Sequence, residues 1–326
     1  MIITQTPLRI SFFGGGTDFG DYYRENQGGA VLSTAIDKYI YAIVKERFDD
    51  LICVNYSKRE IATQLEEVQH ELVREAMRKT GVKKGIEITT LADIPAKGTG
   101  LGSSSSVTVG LLNVFYLYQS RPQPIERLTK EACQIEIDIL KKPIGKQDQY
   151  AAAFGNLNII RFNPDETVTL EPLLIEDRVK NALETNLMLI YTGVTRESSD
   201  ILSQQKDNIR HRLSILDEMK AMVDEGKNHL LQGRLDEFGK LLHRGWKLKR
   251  KLAEKVTNPQ IEKMYQIALE AGVLGGKICG AGGGGFLLLY CPFLRQNKVR
   301  DALGSPRELP WHFERQETKA IFNVRR

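Results

Sequence analysis

Histidine and cysteine are sparse in this 326-residue chain, which has five of the former and four of the latter. The cysteines, Cys53, Cys133, Cys279 and Cys291, lie far apart, with no CxxC pair and no histidine cluster. That spacing argues against a structural zinc site or a disulfide scaffold and suits reduced thiols in a cytoplasm. No apolar run approaches the roughly 20 residues a membrane helix needs. The opening MIITQTPLRISFF lacks the basic, apolar and small-residue regions of a signal peptide. A soluble, cytoplasmic protein with no membrane partner is expected. A strong charge imbalance is missing too, the net charge being +5. Lysine and arginine thicken over residues 240–255, but Leu241, Leu242, Trp246, Leu248 and Leu252 recur there at near-helical spacing. The stretch therefore reads as the solvated face of a helix, and no nucleic-acid partner is expected.

The chain does have apolar residues at an ordinary 41% and a length suited to two domains. Leu8, Ile10 and Phe12 alternate with Arg9, Ser11 and Phe13, a strand period that ends at Gly14-Gly15-Gly16. Residues 30–46, 86–90, 156–162, 187–191, 286–290 and 319–324 also read as strands. Residues 61–79, 107–118 and 125–141 read as helices. Residues 197–255 read as mostly helical, with breaks at Gly226, Gly233 and Gly245, and a further helix near Pro259 ends at Gly272. Strands and helices mix without a regular βαβ alternation, which favours two α+β domains over a doubly wound sheet. The boundary is expected near residues 180–190, separating 1–185 from 186–326.

The loop 95–106, PAKGTGLGSSSS, is the most informative segment. Its alternating glycines let the backbone turn tightly, its serines add hydroxyl donors, and the apolar run behind it supplies a helix N-terminus. Such a cradle suits a polyphosphate. It is not a Walker loop, because no Gly-Lys-Ser/Thr follows, and its GxGxG spacing is not that of a dinucleotide fingerprint. A literal GxGxxG at Gly280, Gly282 and Gly285 leads into a strand, so it is discounted as well. The density of glycine over 275–285 implies close approach to a ligand or to another loop. Cys279, inside it, reads as a small filler. Phosphoryl transfer also needs a metal ligand and a positioning or basic group. Glu136, on the helix before Pro143, and Asp148, in a loop after Gly145, are the candidates.

Three segments taken in order resemble the GHMP kinase superfamily: PLRISFFGGGTD from Pro7, the loop 95–106, and KICGAGGGGF from Lys277. The second motif departs slightly, with four residues rather than three between Pro95 and Gly100. The resemblance implies a two-domain α+β fold, with an N-terminal domain like ribosomal protein S5 domain 2 and a ferredoxin-like C-terminal domain. It implies an ATP- and Mg²⁺-dependent enzyme, monomeric or homodimeric, that phosphorylates a small sugar or sugar phosphate. Carried over position by position, Asp148 is the catalytic aspartate and Arg9 stands beside it and the transferred phosphate. Lys97, Gly98, Thr99, Gly100, Leu101, Gly102, Ser103, Ser104 and Ser105 cradle the nucleotide, and Ser104 with Glu136 holds Mg²⁺. Gly15, Gly16, Thr17, Asp18, Gln147, Gly282 and Gly283 face the acceptor, and Lys146 and Arg196 are cations available to a substrate phosphate. Gly14-Gly15-Gly16-Thr17-Asp18 stands where galactokinases carry Gly-Glu-His-Thr-Asp, which argues against galactose. The combination with GKQDQYAAAFG is similar to the heptose 7-phosphate kinases, which make the 1,7-bisphosphate, with the fucokinases near relatives. A non-catalytic sensor of the same fold is the alternative from a different class, and such a protein would tend to lose Asp148, Ser104 or Glu136.

Overall fold

The structure is a computed structural model that describes residues 1–95, 98–195 and 199–324. One sheet contains β1 (Ile2–Phe13), β2 (Gly29–Glu46), β3 (Ile52–Asn55), β4 (Arg59–Ala62), β5 (Ile86–Ala92), β6 (Leu157–Phe162) and β7 (Val168–Pro172). A three-stranded antiparallel sheet contains β8 (Leu187–Tyr191), β9 (Gly275–Ile278) and β10 (Phe286–Tyr290), with β10 in the centre. The last strand, β11 (Lys319–Asn323), returns to the first sheet and pairs with β1. The helices are α1 (Gly20–Tyr23), α2 (Glu71–Thr80), α3 (Ser103–Tyr118), α4 (Ile125–Cys133), α5 (Gln147–Phe154), α6 (Asp177–Asn186), α7 (Ser199–Asp207), α8 (Leu213–Leu231), α9 (Leu235–Lys249), α10 (Pro259–Ala271) and α11 (Gln296–Ala302). This is the expected α+β arrangement.

β1 alternates buried and half-buried positions as far as Gln5 and is buried at every residue after it. The change follows its cover, since α3 and α5 pack on the strand and α8 and α9 reach its far end. β2 pairs with β1 over most of its length, while its other edge is shared between β6 at Gly29–Thr34 and β5 at Ile40–Glu46. α3 is buried nearly all round, as an apolar helix under a sheet should be. Phe12 and Phe13, at the end of β1, meet Phe238 of α9 edge to face at 5.3 and 5.1 Å. The end of β1 thereby touches the helix that covers the second sheet.

Three expectations need correcting. Residues 61–79 are not one helix: β4 and a short 3₁₀ turn (Leu65–Glu67) precede α2. Leu65, Val68, Leu72 and Ala76 turn towards the core, but pairing of β4 with β3 takes residues 61 and 62 out of the helix. Gly226 and Gly245 lie inside α8 and α9 and break neither. They are small because of contacts: a Cβ on Gly226 would lie 2.6 Å from the Phe13 ring, and one on Gly245 would lie 3.1 Å from Met222. Gly233, with φ +66°, is the break that was expected. Residues 125–141 are helical, but the turn Gln134–Ile139 is π-helical.

α9 and β9 pack closely. A Cβ on Gly275 would lie 2.0 Å from the Gly239 carbonyl oxygen and 2.7 Å from the His243 nitrogen. Both obstacles are backbone and cannot rotate away. Gly275→Ala is therefore expected to lower unfolding stability by about 3 kcal/mol, measured by urea titration. A change below about 0.5 kcal/mol would show that the helix and strand part freely.

Candidate active site

Gly98, Gly100 and Gly102 all hold positive φ, +71°, +75° and +80°, a conformation side chains strain to adopt. Space excludes a side chain as well. A Cβ on Gly100 would lie 2.4 Å from the Cys279 carbonyl oxygen, and one on Gly285 would lie 2.5 Å from that of Thr99. The two glycine-rich loops thus lie back to back. α3 starts at Ser103, four residues before the expected 107, so Ser103, Ser104 and Ser105 form its first turn. Their N–H groups have no partner within the helix and lie at the positive end of its dipole. Leu101 is fully buried, and its carbonyl accepts from the Arg9 N–H at 3.0 Å, which anchors the loop to β1.

Glu136 lies in the π-helical turn, a local geometry that often re-aims a functional side chain. It is fully buried. One carboxylate oxygen accepts from Ser104 Oγ at 2.5 Å and the other from Gln149 Nε2 at 2.7 Å. Lys142 Nζ donates to Ser104 Oγ at 3.2 Å and pairs with Glu71 at 3.0 Å. Among the described residues no three metal-ligating side chains converge. Ser104 and Glu136 supply two hard oxygen donors, which suits a cation held mainly by phosphate and water.

Asp148 is in the first turn of α5 rather than in a loop. Arg9 grips it with Nε and Nη2, both at 2.7 Å, while Nη1 donates to the Gly100 carbonyl at 2.6 Å. Arg9 is 4% exposed. Asp18 is buried on the other side of the same helix start. It accepts from the N–H of Gly16 at 3.0 Å and of Gln147 at 3.2 Å, and a Cβ on Gly145 would lie 2.1 Å from its Oδ2. Burial, and then the nearby Asp148 charge, raises the Asp18 carboxyl above its ordinary range.

Two cavities meet at Arg9 and Asp148. The larger, about 670 Å³, is bordered by Gly98, Thr99, Gly100, Gly102, Ser103, Ser104, Ser105, Glu136 and Gly282. The smaller, about 80 Å³, is bordered by Gly15, Gly16, Asp18, Gln147 and Ser11, and also by Lys249 and Lys277. Other predicted residues serve the frame. Thr17 Oγ1 donates to the carbonyls of Gly14 and Ala30 at 2.8 and 2.9 Å and ties down the glycine turn. The Gly283 N–H donates to Val256 at 2.7 Å. Lys146 pairs with Glu166 and lies 5.0 Å over the Tyr23 ring, and it is not among the described residues lining either cavity. Lys97 and Arg196 lie outside the described residues.

Sequence reasoning missed Lys249, Lys277, Ser11 and Gln149. Lys277 left a signal, a lysine flanked by glycine and isoleucine on a strand, whereas Lys249 was hidden in the charged stretch read as a solvated face. Ser11 Oγ and Gln147 Oε1 are buried without a hydrogen-bond partner, and both border the smaller cavity. Cys279 is the buried filler expected, and burial raises its thiol pKa.

A phosphate cradle and a second cavity that share an anchored carboxylate make a site for phosphoryl transfer between two small molecules. The family comparisons agree. Residues 60–156 match the family described as GHMP kinases N terminal domain, and residues 228–307 match GHMP kinases C terminal. The chain is 31% identical over 318 residues, 92% of each protein, to the D-glycero-alpha-D-manno-heptose 7-phosphate kinase of Campylobacter jejuni. It is 30% identical over 68% of its length to the L-fucokinase/L-fucose-1-P guanylyltransferase of Bacteroides fragilis, covering 24% of that protein. A D-glycero-D-manno-heptose 1-phosphate kinase from Bacteroides thetaiotaomicron superposes with a TM-score of 0.82 at 26% identity, covering all of both chains. This chain belongs to the GHMP kinases. It is a sugar kinase, an ATP-dependent phosphotransferase with an alcohol group as acceptor.

Burial lowers the Lys277 ammonium to about 8. In the unfolded chain the same group keeps its proton up to about 10.5, so between these values the unfolded state binds one more proton and folding gains as pH rises. Relative to Lys277→Met, wild type is expected to gain roughly 2 kcal/mol of stability between about pH 7.5 and about pH 9.5. Parallel urea titrations of the two proteins measure it, and a constant difference would return the lysine to an ordinary pKa.

Proposed function

We propose that the enzyme transfers the γ-phosphoryl group of ATP to the anomeric hydroxyl of D-glycero-D-manno-heptose 7-phosphate. The product is the 1,7-bisphosphate, on the way to a nucleotide-activated heptose. The observation that carries the reading is Asp148, held by Arg9 where the two cavities meet. The relatives named as heptose phosphate kinases support the acceptor class. In this reading Gly98 to Ser105 and the α3 N-terminus hold the nucleotide phosphates. Asp148 orients the acceptor hydroxyl and takes its proton as the new P–O bond forms and the bond to the departing ADP breaks. Arg9 keeps Asp148 aimed through its two-pronged grip. Ser104 and Glu136 would hold Mg²⁺, which supplies neutralisation of the phosphate charge. Asp18, Gln147 and Ser11 face the sugar. We place the nucleotide-binding and catalytic domain in residues 1–185 and the C-terminal GHMP kinase domain in 186–326, and the protein in the cytoplasm, consistent with its four free, buried cysteines.

A coupled ADP-release assay over heptose 7-phosphate, mannose, fucose and galactose tests the acceptor. Heptose 7-phosphate is expected to give the highest kcat/KM. Fucose in first place would favour a fucokinase-like enzyme, in line with the fucokinase relatives, and no ADP from any sugar would leave a sensor. Asp148→Asn is expected to lower kcat about 10²- to 10⁴-fold while nucleotide affinity, read by calorimetry, survives. An unchanged kcat would remove Asp148 from the chemistry.

A further inference from the structure

Two lysines of the smaller cavity are buried with no anion beside them. Lys249, at the end of α9, is 8% exposed and Lys277, on β9, is 6% exposed. Lys249 Nζ donates to the carbonyls of Ile278, at 3.1 Å, and Gly280. Lys277 Nζ donates to those of Ser11 and Phe12, at 2.7 and 2.9 Å. Among the described residues neither ammonium has a carboxylate within ion-pair distance. An ammonium has three N–H donors, so each retains one beyond its two carbonyls. Buried charges in proteins are ordinarily paired, because an uncompensated one is expensive.

The other charges around the cavity cannot supply the partner. Asp148 is matched by the two-pronged grip of Arg9, and the remaining Arg9 donor is taken by the Gly100 carbonyl. Asp18 is shifted towards its neutral form by burial and by Asp148. Lys142 borders the nucleotide cavity instead. The smaller cavity therefore holds two lysine amines with no carboxylate in ion-pair contact among the described residues. Burial depresses both, Lys277 and Arg9 add to it at Lys249, and Arg9 adds to it at Lys277. Ser11 Oγ and Gln147 Oε1 add unpartnered polar atoms at the same wall. We propose that Lys249 and Lys277 bind the anionic substituent of the acceptor, a phosphate monoester on a sugar, and select it over the uncharged sugar. The proposal rests on the reading of the enzyme as a kinase of a phosphorylated sugar. It moves the substrate-phosphate contact from Lys146, which is paired with Glu166, to the cavity floor.

The test compares heptose 7-phosphate with free heptose in wild type, Lys249→Met and Lys277→Met. The ratio of kcat/KM for the phosphorylated acceptor to that for the free sugar is expected to fall about 10- to 100-fold in each variant, through KM. An unchanged ratio overturns the assignment, and so does an equal fall in kcat with both acceptors, which would place the lysines on the donor phosphates. Wild type that turns over free sugars and no sugar phosphate defeats the underlying reading, and is recognised without any variant. Wild type also offers a check independent of how the variants fold. Heptose 7-phosphate should protect it against thermal unfolding more than free heptose does at equal concentration, and equal protection overturns the proposal.

Discussion

The grip of Arg9 on Asp148 and Gly100 is the interaction on which the active site depends. One buried guanidinium ties three pieces of chain together: the end of β1, the phosphate loop and the start of α5. Its planar fork matches a carboxylate two-prong, which a lysine could not do. Losing one partner of such a buried pair typically costs about 3–5 kcal/mol, since the other charge is left unmatched. The Asp148 carboxylate is thus held by the same guanidinium that fixes the loop.

The second constraint is steric. The loop around Gly100 and the loop around Gly280 pass so close that neither accepts a side chain: a Cβ on Gly280 would lie 2.6 Å from Gly100 Cα. The N–H of Phe286 donates to the Thr99 carbonyl at 3.3 Å, stitching β10 to the loop. The contact between the two loops is therefore made by backbone, and its glycines are set by contact with each other as much as by any ligand. With α9 pressed on β9 at Gly239 and Gly275, the same packing delivers Lys249 and Lys277 to one wall.

Charge burial gives this cleft its chemical character and its instability. Asp18, Lys249 and Lys277 are all displaced from their ordinary titration by desolvation. Groups in that state oppose folding, and proteins keep them where they serve a ligand. Ser11 and Gln147 belong with them, as buried polar atoms that the fold itself does not satisfy.

Local features were legible in the chain by itself. The period of residues 8–13, the tight glycine turns at Gly98, Gly100 and Gly102, and the Asp148 and Glu136 candidates follow from residue type and near neighbours, as does family membership through ordered motifs. Tertiary structure decided the rest, because it depends on contacts between distant segments. Strand pairing of β3 with β4 removed the front of an expected helix, and helix-to-ring contacts at Gly226 and Gly245 turned apparent breaks into close packing. Asp148 met Arg9 across 139 positions, and Lys277 met Ser11 across 266. No period or motif encodes such closures. Lys249 shows the limit most clearly, for the sequence placed it on a charged helix and only the packing of α9 against β9 buried its ammonium in the cleft.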